Sequence, residues 1–320
     1  MADVVFMGTP DFAEGILQAL LESEYAVTAV FTQPDRPKGR KGQLQAPPVK
    51  ELALEHGIPV YQPARIRSEE NVEILRQLHP DFIVVAAFGQ IIPPAILEIP
   101  PYGCLNVHAS LLPRWRGAAP IQWAILEGDE KSGVTIMQMA EGLDTGDCID
   151  QAEVRIEADD TGGSLFDKLM HAGASQLIET MRRIERGEAQ KTPQPEESPT
   201  PYAKMLTRQM GEIDWTKSAP EIERMIRALD PWPSAFTFLD GKMLKIWKAS
   251  VLDAAGQAAE EDTAGVPGRI LSVGKDELIV QTGDGCLGLL EVQPEGRKRM
   301  NADAYIRGYH PQAGALLGEK

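Results

Sequence analysis

Asn106 and His108 stand two residues apart in the run 103–116, G-C-L-N-V-H-A-S-L-L-P-R-W-R. Side chains alternate faces along a strand, so Cys104, Asn106 and His108 share one side and Leu105 and Val107 the other. Two residues along a strand span about 6–7 Å, a scale on which two groups can act on one small reacting centre. An Asn amide N–H can stabilise developing oxyanion charge, and a histidine can take or give a proton near neutral pH. A strand end with a hydrogen-bonded Asn and a satisfied His reads equally well from this stretch alone. Downstream, 141–147 is E-G-L-D-T-G-D, a loop whose glycines let backbone approach a ligand closely and which carries Asp144 and Asp147. Ordinary turn chemistry accounts for both carboxylates too. Taken with the histidine, an Asp144 carboxylate can orient the ring, favour its charged form and accept protons directly or through water. No Ser or Cys is placed as a covalent nucleophile, so the set suits direct acyl transfer to an amine.

The elements that would position these groups form a doubly wound α/β domain. An apolar run at 4–7 precedes Gly8-Thr9-Pro10, and Phe12, Ile16 and Leu20 recur at helical spacing. A β-branched run at 25–31 follows, which makes a β–turn–α–β opening. The turn is G-T-P-D-F, so the dinucleotide fingerprint G-x-G-x-x-G is absent, which counts against an NAD enzyme. A helix is expected from Pro48 to the stop at Gly57, a strand at 59–62, and a helix capped by Ser68 that buries Val72, Leu75 and Leu78. The wholly apolar run 82–87 reads as a central parallel strand. It ends at Phe88, Gly89, Gln90 and Ile91, as the next strand ends at Ser110, Leu111, Leu112 and Pro113. Ligands of such sheets gather at strand carboxyl ends. A short helix at 121–127, strands at 134–139 and 149–156, and a long amphipathic helix at 164–186 complete the expected domain, 1–187.

A proline-rich linker, 188–206, is expected to be semi-extended. The rest, 207–320, opens with the capping box Ser218-Ala219-Pro220-Glu221 ahead of Ile222, Met225, Ile226 and Leu229. Short strands then follow at 235–239, 242–251, 268–273, 277–281 and 286–292, with an acid- and alanine-rich surface loop at 253–266. Five short strands in this length suggest a small OB-type β-barrel. The fold class is therefore α/β, a Rossmann-like, mostly parallel doubly wound sheet followed by that barrel.

The 320 residues carry a formal net charge of −15. That sum excludes a diffuse basic surface but not local basic patches. One such patch is 33–50, rich in Pro and Gly, where Arg36, Lys38, Arg40, Lys41 and Lys50 face a single acid, Asp35. Others are Lys242, Lys245 and Lys248, and Arg297, Lys298 and Arg299. Together they suggest an RNA-contacting track, although any single lysine reads more readily as a solvated surface residue, and the facing of 242–248 is left open. Three scattered cysteines and five scattered histidines make no metal site or disulfide framework, and no metal is expected. No apolar run is long enough to span a bilayer, and the first residues read as a strand rather than a signal peptide. A cytoplasmic, monomeric protein without membrane partners is expected.

The run N-V-H-A-S-L-L-P-R-W-R-G-A-A-P-I-Q, with G-V-T-I-M-Q-M and G-L-D-T-G-D, resembles the folate-dependent formyltransferases. With F-M-G-T-P-D-F-A, Q-P-D-R-P-K-G-R and D-P-W-P, the likeness extends over nearly the whole chain and points to the branch acting on initiator methionyl-tRNA. The resemblance implies 10-formyltetrahydrofolate as formyl donor and the methionine α-amine as acceptor. Asn106 and His108 would stabilise the tetrahedral oxyanion, His108 would also protonate the departing N10, and Asp144 would orient His108 and help remove the amine proton. Ser110, Leu111, Leu112 and Pro113 would line the folate site, and Phe88, Gly89, Gln90 and Ile91 would border the pterin. The backbone at 8–10 would adjoin the aminoacyl side. Arg36, Lys38, Arg40 and Lys41 would enter the acceptor stem, with Lys204, Lys242, Lys245, Lys248, Arg297 and Lys298 as further RNA contacts. Other formyltransferases, acting on a sugar amine, a ribotide amine or in a formyl-folate hydrolase, share the core motif. An RNA-binding adaptor would share the basic loop but has no use for Asn106, His108 and Asp144.

Overall fold

The computed structural model describes residues 1–38, 43–252 and 265–319. Most of the loop expected at 253–266, along with Arg40 and Lys41, lies outside the described residues. The chain divides into two compact units: Met1–Pro120 with Lys131–Arg155 and Phe166–Lys204, and Ile121–Glu130 with Ile156–Leu165 and Met205–Lys320.

In chain order the elements up to residue 185 are β1 (Asp3–Gly8), α1 (Asp11–Leu21), β2 (Ala26–Phe31), β3 (Arg36–Lys38), β4 (Gln43–Gln45), α2 (Pro48–Glu55), β5 (Val60–Tyr61), α3 (Glu69–Leu78), β6 (Phe82–Ala86), α4 (Pro94–Leu97), β7 (Cys104–His108), α5 (Pro120–Leu126), β8 (Lys131–Gln138), β9 (Cys148–Arg155) and α6 (Gly162–Glu185). A seven-stranded sheet runs β5-β2-β1-β6-β7-β8-β9. It is parallel from β5 to β7, and β8 runs antiparallel to both of its neighbours, β7 and β9. β6 is buried at every position, as a strand covered on both faces must be. One face packs Val5, Met7, Ile83, Val85 and Cys104 under Val72 and Leu75 of α3 and Ile96 of α4. On the other, Gly173 of α6 lies so close to Val107 that a Cβ there would sit 2.9 Å from it. Each fully buried Leu, Ile, Val or Phe in these layers contributes about 1.5–3 kcal/mol.

Two local expectations change. Ser68 precedes α3 but makes no cap hydrogen bond. Its hydroxyl instead accepts from Asn71 Nδ2 at 2.6 Å, so a nearby amide donor takes the oxygen that a cap would use. The basic segment 33–50, expected as a loop, holds a hairpin in which Arg36 faces Gln45 and Lys38 faces Gln43. Its base is tied by Lys50, whose Nζ donates to both Asp35 carboxylate oxygens and to Gln62 Oε1, each at 2.8 Å. Lys50 is thus a structural ion pair rather than a free base, and with Gln62 it holds the Asp35 carboxyl below its usual range.

The second unit contains a 3-10 turn at Arg208–Gly211, α7 (Ala219–Ala228), β10 (Ala235–Leu239), β11 (Lys242–Leu252), β12 (Ile270–Val273), β13 (Leu278–Gln281), β14 (Cys286–Pro294), β15 (Met300–Asn301) and α8 (Ala302–Tyr309). The strands pair antiparallel in the order β10-β11-β14-β13-β12, with β15 beside β14. The Glu221 carboxylate accepts from the Ser218 backbone N–H at 3.0 Å, closing the capping box at α7. Ile222 and Ile226 of α7 enter a core with Leu244, Ile246, Val280, Leu287, Leu289 and Val292.

Candidate active site

The carboxyl ends of β1, β6 and β7 lie side by side, with Gly8 opposite Ala86 and Val85 opposite Asn106. Chain order reverses between β1 and β6, the place where parallel sheets open a ligand crevice. Thr9 Oγ1 and Gln33 Nε2 both donate to the Phe88 carbonyl, at 3.2 and 3.1 Å, and so link the segments that follow β1, β2 and β6.

On β7, Cys104 belongs to the core face under α3 and Val107 points to α6, so alternation sets Asn106 and His108 on the Cys104 side. Asn106 is half-buried, and its amide pairs with no protein group among the described residues. His108 is buried. Its Nε2 lies 3.2 Å from the Trp115 carbonyl. A carbonyl only accepts, so Nε2 carries the proton in that bond and Nδ1 is left for chemistry. Nδ1 faces Asp144 Oδ1 across 3.7 Å, within ion-pair range and longer than a hydrogen bond. The Trp115 carbonyl thus holds the ring by a hydrogen bond, while Asp144 stands within ion-pair range of its other nitrogen. Asp144 has φ +54°, in the left-handed region that Asp tolerates better than most residues. Its Oδ2 accepts from the Gly117 N–H at 2.9 Å, which leaves Oδ1 toward the histidine.

The 110–113 turn is held from beneath by β8. Thr135 lies opposite His108 in the sheet, and its hydroxyl donates to the Ser110 carbonyl at 2.7 Å and accepts from Leu112 N at 3.0 Å. Gln151 Nε2 donates to the Leu112 carbonyl at 2.7 Å and to Thr135 Oγ1 at 3.0 Å. Ser110 is fully buried and its hydroxyl donates to the Arg114 carbonyl at 2.7 Å. Leu112 is buried, while Leu111 and Pro113 are half-buried. After β6, Phe88 is buried in the sheet core, Gly89 takes φ +80°, and Ile91 is 69% exposed. Gln90 is engaged at both ends of its amide, accepting from Ile66 N at 2.7 Å and donating to the Pro63 carbonyl at 3.0 Å.

Sequence reasoning overlooked the Trp115 carbonyl, the Gly117 N–H, Thr135 and Gln151. A Thr between Val134 and Ile136, in the apolar middle of β8, is the available signal for Thr135. The backbone partners carry no side-chain signature at all.

Of the basic residues, Arg36 is exposed on its hairpin and Lys204 is exposed at the end of the first unit. In the second unit β11 settles its facing. Leu244 and Ile246 enter the core, while Lys245 and Trp247 turn outward on the opposite side. Lys245 Nζ lies 5.5 Å from the Trp247 ring centroid and the Arg299 guanidinium 4.7 Å from it. Lys242, Lys248, Arg297 and Lys298 are exposed. Arg299 is committed to Glu291 and Asp230. Among the described residues there is no group of His, Cys, Asp or Glu that could hold a metal, and no helix long and apolar enough to cross a membrane.

Comparison with known proteins divides the chain by sequence, the first match running through 121–130 and 156–165, which the structure packs with the second unit. The formyl transferase family matches residues 2–181, and the formyl transferase C-terminal domain matches residues 205–310. The methionyl-tRNA formyltransferase of Agathobacter rectalis is 53% identical over 314 residues, covering 98% of this chain and 99% of that protein. Among solved structures, an N-formyltransferase from Helicobacter canadensis in complex with folinic acid and dTDP-3-aminofucose superposes with a TM-score of 0.65 at 19% identity, covering 92% of this chain and 100% of that one. HypX from Aquifex aeolicus superposes with a TM-score of 0.62 at 18% identity, covering 98% of this chain and 48% of HypX, so this chain spans about half of that protein. At such identities the structural likeness carries the fold.

Proposed function

The chain belongs to the formyl transferase family, and from that membership and the geometry of its site we infer that it transfers the formyl group of 10-formyltetrahydrofolate to the α-amino group of methionyl initiator tRNA. For the chemistry, the observation that carries the reading is the His108 Nδ1 and Asp144 Oδ1 pair, with Asn106 on the same strand face as His108 at a sheet crevice.

The acceptor amine attacks the formyl carbon, and the carbonyl electron pair moves onto oxygen. Asn106 donates its amide N–H to that oxyanion. With Nε2–H engaged by the Trp115 carbonyl, Nδ1 is the nitrogen of His108 that holds the mobile proton. The protonated ring, paired with Asp144, adds its charge to the stabilisation and delivers its proton to N10 as the carbon–N10 bond breaks. The amine loses one proton to Asp144, directly or through water, and that proton restores His108. The net change is formyl moved to the amine and one proton moved to N10. The donor would lie against the 110–113 and 88–91 turns, where exposed Ile91 and half-buried Leu111 and Pro113 offer apolar cover for a planar ring, while buried Ser110, Leu112 and Phe88 shape the turns that present them. Arg36, the basic residues that follow it and the outward face of β11 meet the tRNA. We infer further that the enzyme acts as a monomer, in the compartment of translation.

The test is turnover of Asn106→Ala, His108→Ala and Asp144→Asn at saturating folate, with charged initiator tRNA, charged elongator tRNA and free methionine offered in turn. Each variant should lose on the order of 10²-fold or more in kcat, and only the initiator tRNA should be formylated efficiently by the parent. Near-normal turnover in all three variants would falsify the assignment.

A further inference from the structure

Residues 192–203 have the composition of a spacer but are bonded to the first unit along their length. Cys148 and Thr192 exchange two backbone hydrogen bonds, at 2.9 and 2.8 Å. Ser198 Oγ donates to the Pro113 carbonyl at 2.8 Å, Trp115 N donates to Thr200 Oγ1 at 2.7 Å, and Ala118 N donates to the Ala203 carbonyl at 2.7 Å. The segment thus tracks the turn that carries the Trp115 carbonyl and the Gly117 N–H, the two groups that fix His108 and Asp144.

Gln194 sits in this segment with every polar position of its amide in use. Its Nε2 donates to the carbonyls of Asp144 and Gly146, at 2.9 and 2.7 Å. Its Oε1 accepts from Arg116 Nε at 3.0 Å. Arg116 is itself buried, and the rest of its fork donates to the Pro195 and Glu196 carbonyls at 2.7 and 3.1 Å. We propose that Gln194 is a positioning residue for formyl transfer, holding the backbone of Asp144 so that its carboxylate meets His108, with Arg116 holding Gln194 in turn. This rests on Asp144 acting in the chemistry as set out above.

Asp144 has left-handed backbone, which persists for a residue with a side chain only where the surroundings over-determine it. Its loop is flanked by Gly142 and Gly146, which bring no side chain to anchor it. Gly117 holds the carboxylate, and Gln194 holds the carbonyl of Asp144 and that of Gly146 two residues on. Without Gln194 the carboxylate keeps its identity and loses its place. Displacement of a reacting group by about 1 Å can cost on the order of 10²-fold in rate.

The test uses the full-length enzyme. Gln194→Glu keeps the length and the Arg116 contact but turns carboxylate oxygens toward the two carbonyls, and Gln194→Met keeps the length and removes every hydrogen bond. Both should lower kcat about 10- to 100-fold with KM for both substrates little changed, measured well below each variant's Tm. In an Asp144→Asn background the loss from Gln194→Glu should disappear, since the group it positions is already disabled. Wild-type kcat in both Gln194 variants, with Asp144→Asn slow, overturns the proposal and leaves the site assignment standing. So does an undiminished Gln194→Glu loss in the Asp144→Asn background, which would mark a merely structural role. Normal turnover of Asp144→Asn alone would instead overturn the site assignment beneath it.

Discussion

Thr135→Val tests whether the 110–113 turn depends on one hydroxyl. Thr135 is fully buried, and its Oγ1 donates to the Ser110 carbonyl and accepts from Leu112 N and Gln151 Nε2. One donor and two lone pairs are all a hydroxyl has, so the group is saturated. Valine matches the shape and opens no cavity, which leaves the polar loss on its own. Gln151 keeps its bond to the Leu112 carbonyl, whereas Leu112 N and the Ser110 carbonyl each lose a partner away from water. At about 1–3 kcal/mol for each group left unpaired, the expected loss is about 2–4 kcal/mol once partial relaxation is allowed. At about 2–4 °C per kcal/mol, the first unit's calorimetric transition should fall by roughly 5–15 °C, and folate should bind more weakly. Thr135→Ser keeps the hydroxyl and removes one methyl, at about 0.5–1.5 kcal/mol by analogy with Ile→Val. The serine variant should therefore be clearly the more stable of the two. A valine variant as stable as the serine variant, with unchanged folate affinity, would show that the hydroxyl network does not hold the turn.

The remaining predictions concern the RNA contacts and the second unit. Arg40→Ala with Lys41→Ala should weaken tRNA binding and flatten the plot of log K against log salt by about 0.7–0.9 per lost phosphate contact. An affinity equal to the parent's at both low and high salt would remove these two bases from the RNA interface. Tyr305 is buried in the second unit, and burial, followed by the nearby Tyr309 and Asp240, pushes its phenol up to about 12. The raised folded value means its contribution is complete below the unfolded value near 10 and is lost as pH rises through 12. Tyr305→Phe should flatten the alkaline fall in that unit's stability between pH 10 and 12, followed by urea unfolding at each pH. An unaltered pH profile in the variant would assign the fall to other groups.

Much of the scaffold follows from local pattern. Apolar runs mark β1, β6 and β7, and period-two alternation alone is enough to set Cys104, Asn106 and His108 on one face. Helical spacing marks α1 and α7, and left-handed glycines at 57 and 187 end α2 and α6 where expected. These signals are legible because they depend on neighbours within a few residues and on the fixed geometry of strand and helix. Other features have no local signature. The reversed direction of β8, antiparallel to both β7 and β9, depends on how the chain returns. Helix α8 buries only Ala302 and Tyr305, too little for a pattern. Lys50 reads as one more base of a basic loop until folding sets it on Asp35. The same holds for the site. The residue types on β7 and in the 141–147 loop suggest a chemistry, but the contacts that Trp115, Gly117 and Gln194 make there are through backbone groups or to them. A peptide N–H or carbonyl is the same at every position, so its role comes only from where the fold places it. From sequence alone, residues 188–206 are a proline-rich spacer. Tertiary structure brings Gln194 onto the carbonyl of Asp144, a contact between distant parts of the chain that composition and periodicity, being local, cannot encode.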